Sequence, residues 1–421
     1  MRGRCFFTAL LLSFFATACT HTAPAPVPAV PPRNAEVHRQ KPLVVMISID
    51  GCRHDDLDHF SPPNLLKLRR EGVTSRGLIP VYPSQTFPNH YTLATGLTAE
   101  HHGLLGNQFY DPQAGLEYRG KEAASARDGR WYGGLPLWGV AQKAGMLSGV
   151  YFWIGSEAEI AGTRPTEFFH YDDKVTIDAR IDQALEWMKR PPETRPPLIM
   201  LYFADVDMMG HRFGPHSPEV KEALMKIDAG LGRLFREAGQ LELPGVNYVI
   251  VSDHGMSAVE AKDAVAMDEL LPEEDVKVVG GGAQMFVYAL TPEKIQPVYE
   301  RLKKAEKHFR VYLKKDIPER YHLRKSASAP DILIDAQAPH TLGFREWMAK
   351  ARAKSGTHGY DPRNKDMWGI FVAQGPAFKK GRTLPALDNT HVAPLVLKLL
   401  SLPEPGPLDG RAEVFAPALR D

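Results

Sequence analysis

Three short runs of the chain are apolar almost end to end, and each closes on an aspartate. "PLVVMISID" is apolar from Leu43 to Ile49 and stops at Asp50; "PLIMLYFADVD" starts at Leu198 and stops at Asp205 or Asp207; "NYVIVSD" stops at Asp253. Continuous apolar runs of this length, rich in Val and Ile, predict strands buried on both faces, as in a parallel sheet. Between them the period changes to that of a helix. Ile177, Ile181, Ala184, Leu185 and Met188 recur at helical spacing, and Ser217-Pro218 supplies an N-cap and first-turn proline ahead of Val220, Leu224, Ile227, Leu231 and Leu234. Strands alternating with helices predict an α/β sandwich. Ligands bind such sheets in the crevice outside the carboxyl ends of the strands, so the three aspartates should converge there.

One strand ending in Asp is ordinary, because Asp favours turns and helix caps. Three together, with Gly and His close behind, point to chemistry. His211 follows Asp207 by four residues, His254 follows Asp253 directly, and "SGTHGYD" places His358 between small residues far downstream. Carboxylate and neutral imidazole suit zinc, with manganese or iron as competitors. Asp50, Asp207, His211, Asp253, His254 and His358 exceed the needs of one tetrahedral ion and match two.

Composition narrows the setting. The chain has 421 residues, 43% hydrophobic and 24% charged, with a net charge of +1, which fits a globular protein with a large core and gives no reason for a stable nucleic-acid partner. Residues 1–19 pair two arginines with an apolar run from Phe6 to Phe15 and small residues before Cys19. This predicts an export signal, and the Cys19 context resembles a bacterial lipoprotein signal that would tether the protein to a membrane through a lipidated cysteine. The expected location is therefore the periplasm or an outer-membrane anchor. Pro- and Ala-rich residues 20–40 read as an extended linker, with folding from Lys41. Cys5 and Cys19 belong to the leader, so Cys52 stands alone and a disulfide framework is excluded.

"YPSQTFPNHYTLATG" adds a candidate nucleophile. A bare threonine hydroxyl does not attack phosphorus at neutral pH, but metal coordination lowers the pKa of bound water to roughly 7 and should act on a bound alcohol in the same direction. Thr86 also opens a predicted helix with Pro88 in its first turn, where backbone N–H groups and the helix dipole favour an anion.

Taken in order, "SQTFPNHYTLATGL", "HGLLGNQFYDP", "DMMGHRFGPHS", "SDHGM" and "GTHGYDP" resemble the catalytic domain of the nucleotide pyrophosphatase/phosphodiesterase family of the alkaline phosphatase superfamily, over about Pro42 to Leu402. The chain is identified as a bacterial member of it. The resemblance implies a three-layer α/β/α sandwich around a mostly parallel sheet, and two zinc ions. One would be held by Asp50, Thr86, Asp253 and His254, the other by Asp207, His211 and His358. It further implies that Asn107 donates its amide to a phosphate oxygen and that Thr86 forms a phosphothreonine ester which water then hydrolyses.

Phe87 follows Thr86, and Tyr171 falls where nucleotide-cleaving members place a second ring. Two such faces can sandwich a base, at about 1–3 kcal/mol per stacked base, so a nucleotide or related phosphodiester is the expected substrate. Gln85 and Gln108 stand where triphosphate-preferring members carry lysines, which argues against strong binding of a polyphosphate tail. A choline- or glycerol-type phosphodiesterase, a phosphomonoesterase of the same superfamily, and a non-catalytic metal-binding lipoprotein are the alternatives. His90, His101 and His102 read as helix-face or supporting groups. "CRHDD" lacks the Cys-x-Pro-x-Arg of a sulfatase. Residues of about 258–346 predict a small αβ insertion, with "AQMFVYAL" and "DILIDA" as strands and "PEKIQPVYERLKKAEKHF" as a helix. No internal repeat is visible, nothing past Leu402 is long enough for the nuclease-like domain of larger animal relatives, and the sequence sets no oligomeric state.

Overall fold

In the computed structural model, which describes residues 32–350 and 352–420, the run Leu43–Ile49 forms strand β1 with all seven residues buried. It lies inside the largest sheet among the described residues, eight strands in all. The others are β2 (Val73–Ser75), β3 (Ser148–Tyr151), β4 (Glu167–Phe169), β5 (Leu198–Phe203), β6 (Val246–Val251), β11 (Phe371–Gln374) and β12 (Arg382–Leu384). Their order is β12-β2-β11-β6-β1-β5-β3-β4, and only β11 runs antiparallel to its neighbours.

The alternation of the pleat divides β1 between two cores. Leu43, Val45, Ile47 and Ile49 face one layer, which holds the helices Pro63–Glu71, Ile177–Lys189 and Pro218–Ala238. Val44 and Met46 face the opposite layer, with Thr86–Thr95, Leu137–Lys143 and Val392–Leu400. A strand buried on both faces needs apolar residues at every position, which is why the run is continuous rather than alternating. Both periodic helices form where predicted. Thr176 and Ser217 cap them, accepting from the N–H groups of Ala179 and Val220.

A second, four-stranded antiparallel sheet follows: β7 (Val276–Gly281), β8 (Gln284–Ala289), β9 (Phe309–Leu313) and β10 (Ile332–Ala336), in the order β7-β8-β10-β9. Met285, Val287, Ile332 and Ile334 pack with Val298 and Leu302 of the Pro292–Lys304 helix, while Phe286, Tyr288 and Leu333 join the core of the main body.

Two expectations shift. The second strand ends at Phe203, and Asp205 and Asp207 belong instead to the helix Asp205–Phe213. Part of the predicted linker is also built into the fold: Asn34 is buried, donates to the carbonyls of Pro192 and Arg195, and accepts from Leu147 N–H. A single polar side chain that satisfies three loop ends leaves no periodic signal in sequence. Residues 1–31, with Cys5 and Cys19, lie outside the described residues, and among those described no helix is long and apolar enough to cross a membrane.

Asp228 ties the helices of one layer together. It is buried and accepts from Asn64 N–H at 3.1 Å, Asn64 Nδ2 at 2.9 Å and Leu65 N–H at 2.7 Å. Removing a charged acceptor strands those donors at about 1–3 kcal/mol each way of pairing. Asp228→Ala should therefore cost at least about 2 kcal/mol, read from the urea midpoint at unchanged slope.

Candidate metal centre and cleft

The strand ends meet as the topology requires. Asp50 directly follows β1, Asp253 lies just past β6, and Asp207 sits in the first turn of the helix after β5, four residues before His211. Residues four apart in a helix share a face, and His211 Nε2 comes within 3.5 Å of Asp207 Oδ1. His358 is delivered differently, from the end of a short strand, Lys354–Thr357, paired antiparallel with Ser257–Glu260. The close approach of Asp207 to the Asp50 loop requires Gly51: its φ is +69°, and a Cβ there would stand 2.9 Å from the Asp207 backbone.

Two groups of donors result, with Asp207 next to both. In one, His254 Nε2 lies 3.4 Å from Asp50 Oδ1, 3.1 Å from Asp253 Oδ2 and 3.3 Å from Thr86 Oγ1. In the other, His358 Nε2 lies 3.6 Å from Asp207 Oδ1 and 3.0 Å from His211 Nε2. Ligands about 2.0–2.2 Å from a tetrahedral ion stand roughly 3.3–3.6 Å from one another; three of these separations fall in that range, and the 3.0 and 3.1 Å pairs lie slightly inside it.

The donors are also in the right chemical form. His254, His211 and His358 direct Nδ1 to the carbonyls of Gly255 (2.8 Å), Gly356 (3.0 Å) and Ser84 (2.9 Å). With the Nδ1–H donated, each Nε2 keeps a lone pair for a metal. Burial pushes His254 down to about 3, and burial followed by the neighbouring His254 pushes His358 well below its usual range. Burial drives Asp50 well up, with the charges of Asp253 and Asp207 adding to it; Asp253 rises through burial and Asp207. Asp50 Oδ1, Asp207 Oδ1 and Asp253 Oδ2 have no hydrogen-bond donor. Clustered carboxylates facing neutral imidazoles are the charge pattern that a divalent cation neutralises. The chain thus carries several clusters whose residues fit a divalent metal ion.

Thr86 is the first residue of its helix rather than its cap. The cap position is Gln85, and the Thr86 hydroxyl faces His254. Asn107 accepts from Phe87 N–H at 2.9 Å through Oδ1. Asp50, Thr86, Phe87, Asn107, Tyr171, Asp207, His211 and His358 all line one cleft of about 760 Å³. The Phe87 ring is seated over Gly120, where a Cβ would meet it at 2.5 Å, and Tyr171, 49% exposed, packs edge-on against Phe152.

Sequence reasoning read His90 as a helix-face or supporting group and missed the other supports. Tyr202 donates to Asp50 Oδ2 at 2.6 Å; Ser48 Oγ contacts His90 Nε2 at 2.8 Å; His90 Nδ1 lies 3.0 Å from the Thr86 carbonyl and 3.2 Å from Asp253. Gln85 accepts from Asn107 N–H and donates to Gln284 of β8, so it braces the phosphate-side loop, whereas Gln108 is exposed. Lys121 and Arg127 also line the cleft, Arg127 paired with Glu157 at 2.7 Å. These contacts join residues far apart in the chain. Besides the reading of His90, only the Ser48 break in an apolar strand hints at one of them. His101 pairs with Asp409, and His102 with Thr92, away from the cluster.

A parallel-centred α/β/α sandwich of alkaline-phosphatase-like fold, with carboxylate–imidazole clusters at its strand ends, is the class that fold and site define. The chain belongs to the type I phosphodiesterase/nucleotide pyrophosphatase family, whose profile matches residues 44–361. It is 34% identical over 386 residues to venom phosphodiesterase CdcPDE of Crotalus durissus collilineatus, and 33% identical over 386 residues to human ectonucleotide pyrophosphatase/phosphodiesterase family member 1. Each match covers 88% of this chain, but only 45% and 41% of those relatives, so the chain spans less than half of their length. Human ectonucleotide pyrophosphatase/phosphodiesterase 5 superimposes with a TM-score of 0.84 at 30% identity, covering 90% of this chain and all of that one. An inactive form of the murine protein in complex with AMP matches equally well, at 29% identity.

These relatives come from snakes, human, mouse and rat, and are venom phosphodiesterases and ectonucleotide enzymes. They overturn the identification as a bacterial member and, with it, the periplasmic or outer-membrane lipoprotein location. The physical reason is that an apolar run followed by small residues and a cysteine records only what a leader must do to enter a membrane, and nothing of the cell it belongs to.

Removing the Tyr202 hydroxyl should loosen Asp50 without touching the metal directly. Tyr202→Phe should lower zinc affinity by about 10- to 100-fold, measured by competition with a chromophoric chelator.

Proposed function

We propose that the protein is a metal-dependent phosphodiesterase/nucleotide pyrophosphatase that cleaves phosphodiester or phosphoanhydride bonds of nucleotides to give nucleoside monophosphates. The observation that carries this reading is the position of Thr86. Its hydroxyl touches the carboxylate–imidazole cluster while opening onto a cleft walled by Phe87 and Tyr171. A structural neighbour in complex with AMP supports a nucleotide in such a cleft.

Two zinc ions are the proposed cofactors, one with Asp50, Thr86, Asp253 and His254, the other with Asp207, His211 and His358. When bound, they supply Lewis-acid charge that lowers the pKa of oxygens near them and offsets the charge of a phosphoryl group. The chain's own residues do the rest. The helix that starts at Thr86 turns the positive end of its dipole toward the phosphate. Because Asn107 spends its Oδ1 on Phe87 N–H, its NH2 remains for a phosphate oxygen. Thr86 Oγ1 then bonds to phosphorus as the bond to the leaving oxygen breaks, and water later cleaves the phosphothreonine ester. Dividing one difficult displacement into two is the benefit of the covalent route. The base rests between Phe87, held in place over Gly120, and Tyr171. Residues 41–421 form the proposed catalytic domain, with about 258–346 as its αβ insertion.

Thr86→Ala should reduce hydrolysis of bis-(p-nitrophenyl) phosphate by about 10³-fold or more while zinc content is retained; full activity in that variant sinks the nucleophile assignment. Tyr171→Ala should raise KM for a dinucleotide about tenfold with little change in kcat. On a panel of a dinucleotide, a choline phosphodiester and a simple monoester, the dinucleotide should be cleaved with the highest kcat/KM.

A further inference from the structure

A third set of donors lies outside the cleft. Asp55 and Asp56 follow the Asp50 loop, and His216 lies in the turn between the His211-bearing helix and Pro218–Ala238. Asp55, Asp56 and His216 bring one ligand atom each to within 4.8 Å of one another. Asp56 Oδ1 lies 3.5 Å from His216 Nε2, and Asp55 Oδ1 lies 3.6 Å from the same nitrogen.

The second observation concerns what these atoms lack. The Asp56 side chain is 2% exposed; its Oδ2 accepts Arg53 N–H at 2.8 Å, but its Oδ1 has no hydrogen-bond partner. His216 Nε2 is likewise buried and unpartnered. A buried polar atom without a partner is costly, and here two of them face each other without forming a hydrogen bond.

Charge agrees with geometry. Arg53 faces Asp55 at 2.9 Å and Asp366 at 3.1 Å and donates to the Met256 carbonyl. One guanidinium stands among the carboxyl groups of Asp55, Asp56 and Asp366, so acid outnumbers base there. Burial raises Asp56 to about 7, so a proton competes with a cation for it near neutral pH, and burial followed by Arg53 lowers His216. Asp55 Oδ1 already receives Arg53 Nε but has a second lone pair for a cation. His216 stacks on His59 at 4.2 Å, which fixes the imidazole plane.

We propose that Asp55, Asp56 and His216 form a further divalent-cation site, suited to zinc or manganese and separate from the Thr86 cluster. An ion there would clamp the loop after Asp50 to the end of the helix that carries Asp207 and His211. Its role is to hold two ligand-bearing segments together, with no part in the reaction, so it stands or falls independently of the proposed activity.

The test is a metal count by atomic spectroscopy after equilibrium dialysis against zinc, repeated with manganese, for the wild-type protein, His216→Ala and Asp56→Asn. Both variants should retain one equivalent fewer per chain with at least one of the metals. His216→Ala should also lose part of the metal-induced rise in Tm, with bis-(p-nitrophenyl) phosphate hydrolysis at saturating zinc unchanged. His216→Ala replaces a partly exposed turn residue, and its circular dichroism spectrum establishes that it is folded. A wild-type count in folded His216→Ala with both metals overturns the proposal, as does loss of more than one equivalent.

Discussion

Three carboxylates, Asp50, Asp207 and Asp253, are held at one edge of a sheet where water is largely excluded, and their mutual repulsion is the constraint around which the site is organised. Asp50 and Asp253 are 1% exposed, and the imidazoles beside them are kept neutral by burial. In water such charges would separate; here β1, β5 and β6 fix their spacing through continuous parallel pairing. Folding energy from the apolar strands therefore maintains an arrangement that electrostatics alone opposes. A cation of charge two reverses the sign of that contribution, making the same residues a source of cohesion rather than strain.

The second sheet and the loop after Lys354–Thr357 give the remaining precision. Asp335 on β10 accepts Tyr82 Oη at 3.1 Å, Gln284 on β8 accepts from Gln85 at 3.1 Å, and the Tyr360 carbonyl accepts Ser84 Oγ at 2.8 Å. These three bonds hold the segment leading into Thr86 from one side. His90, Ser48 and Tyr202 hold its helix and Asp50 from the other. The attack proposed for Thr86 gains from support in both directions, because small misplacements of a reacting group are costly.

The pattern of the chain made the central strands, the two long amphipathic helices and the set of possible metal ligands legible, since each rests on burial or on side-chain chemistry that any context preserves. Asp207 was legible as a donor but not as a helical residue: an apolar run shows where a strand is buried, and the turn that ends it is settled by hydrogen bonds two residues on. The Tyr202–Asp50 and Gln85–Asn107 contacts were not legible at all. A tyrosine in an apolar strand reads as core, and whether its hydroxyl finds a carboxylate depends on the neighbouring strand's register.

By itself, the sequence determined which elements form and which side chains have the chemistry to bind a metal and to attack phosphorus, because periodicity and functional groups are local properties. Tertiary structure alone decided that His358 arrives from a separate two-stranded ladder, that Thr86 faces His254 rather than capping its helix, and that Asp56 and His216 confront each other unpartnered. Those outcomes depend on distances between residues far apart in the chain, and such distances exist only once the sheet has set its register and the layers have closed on it.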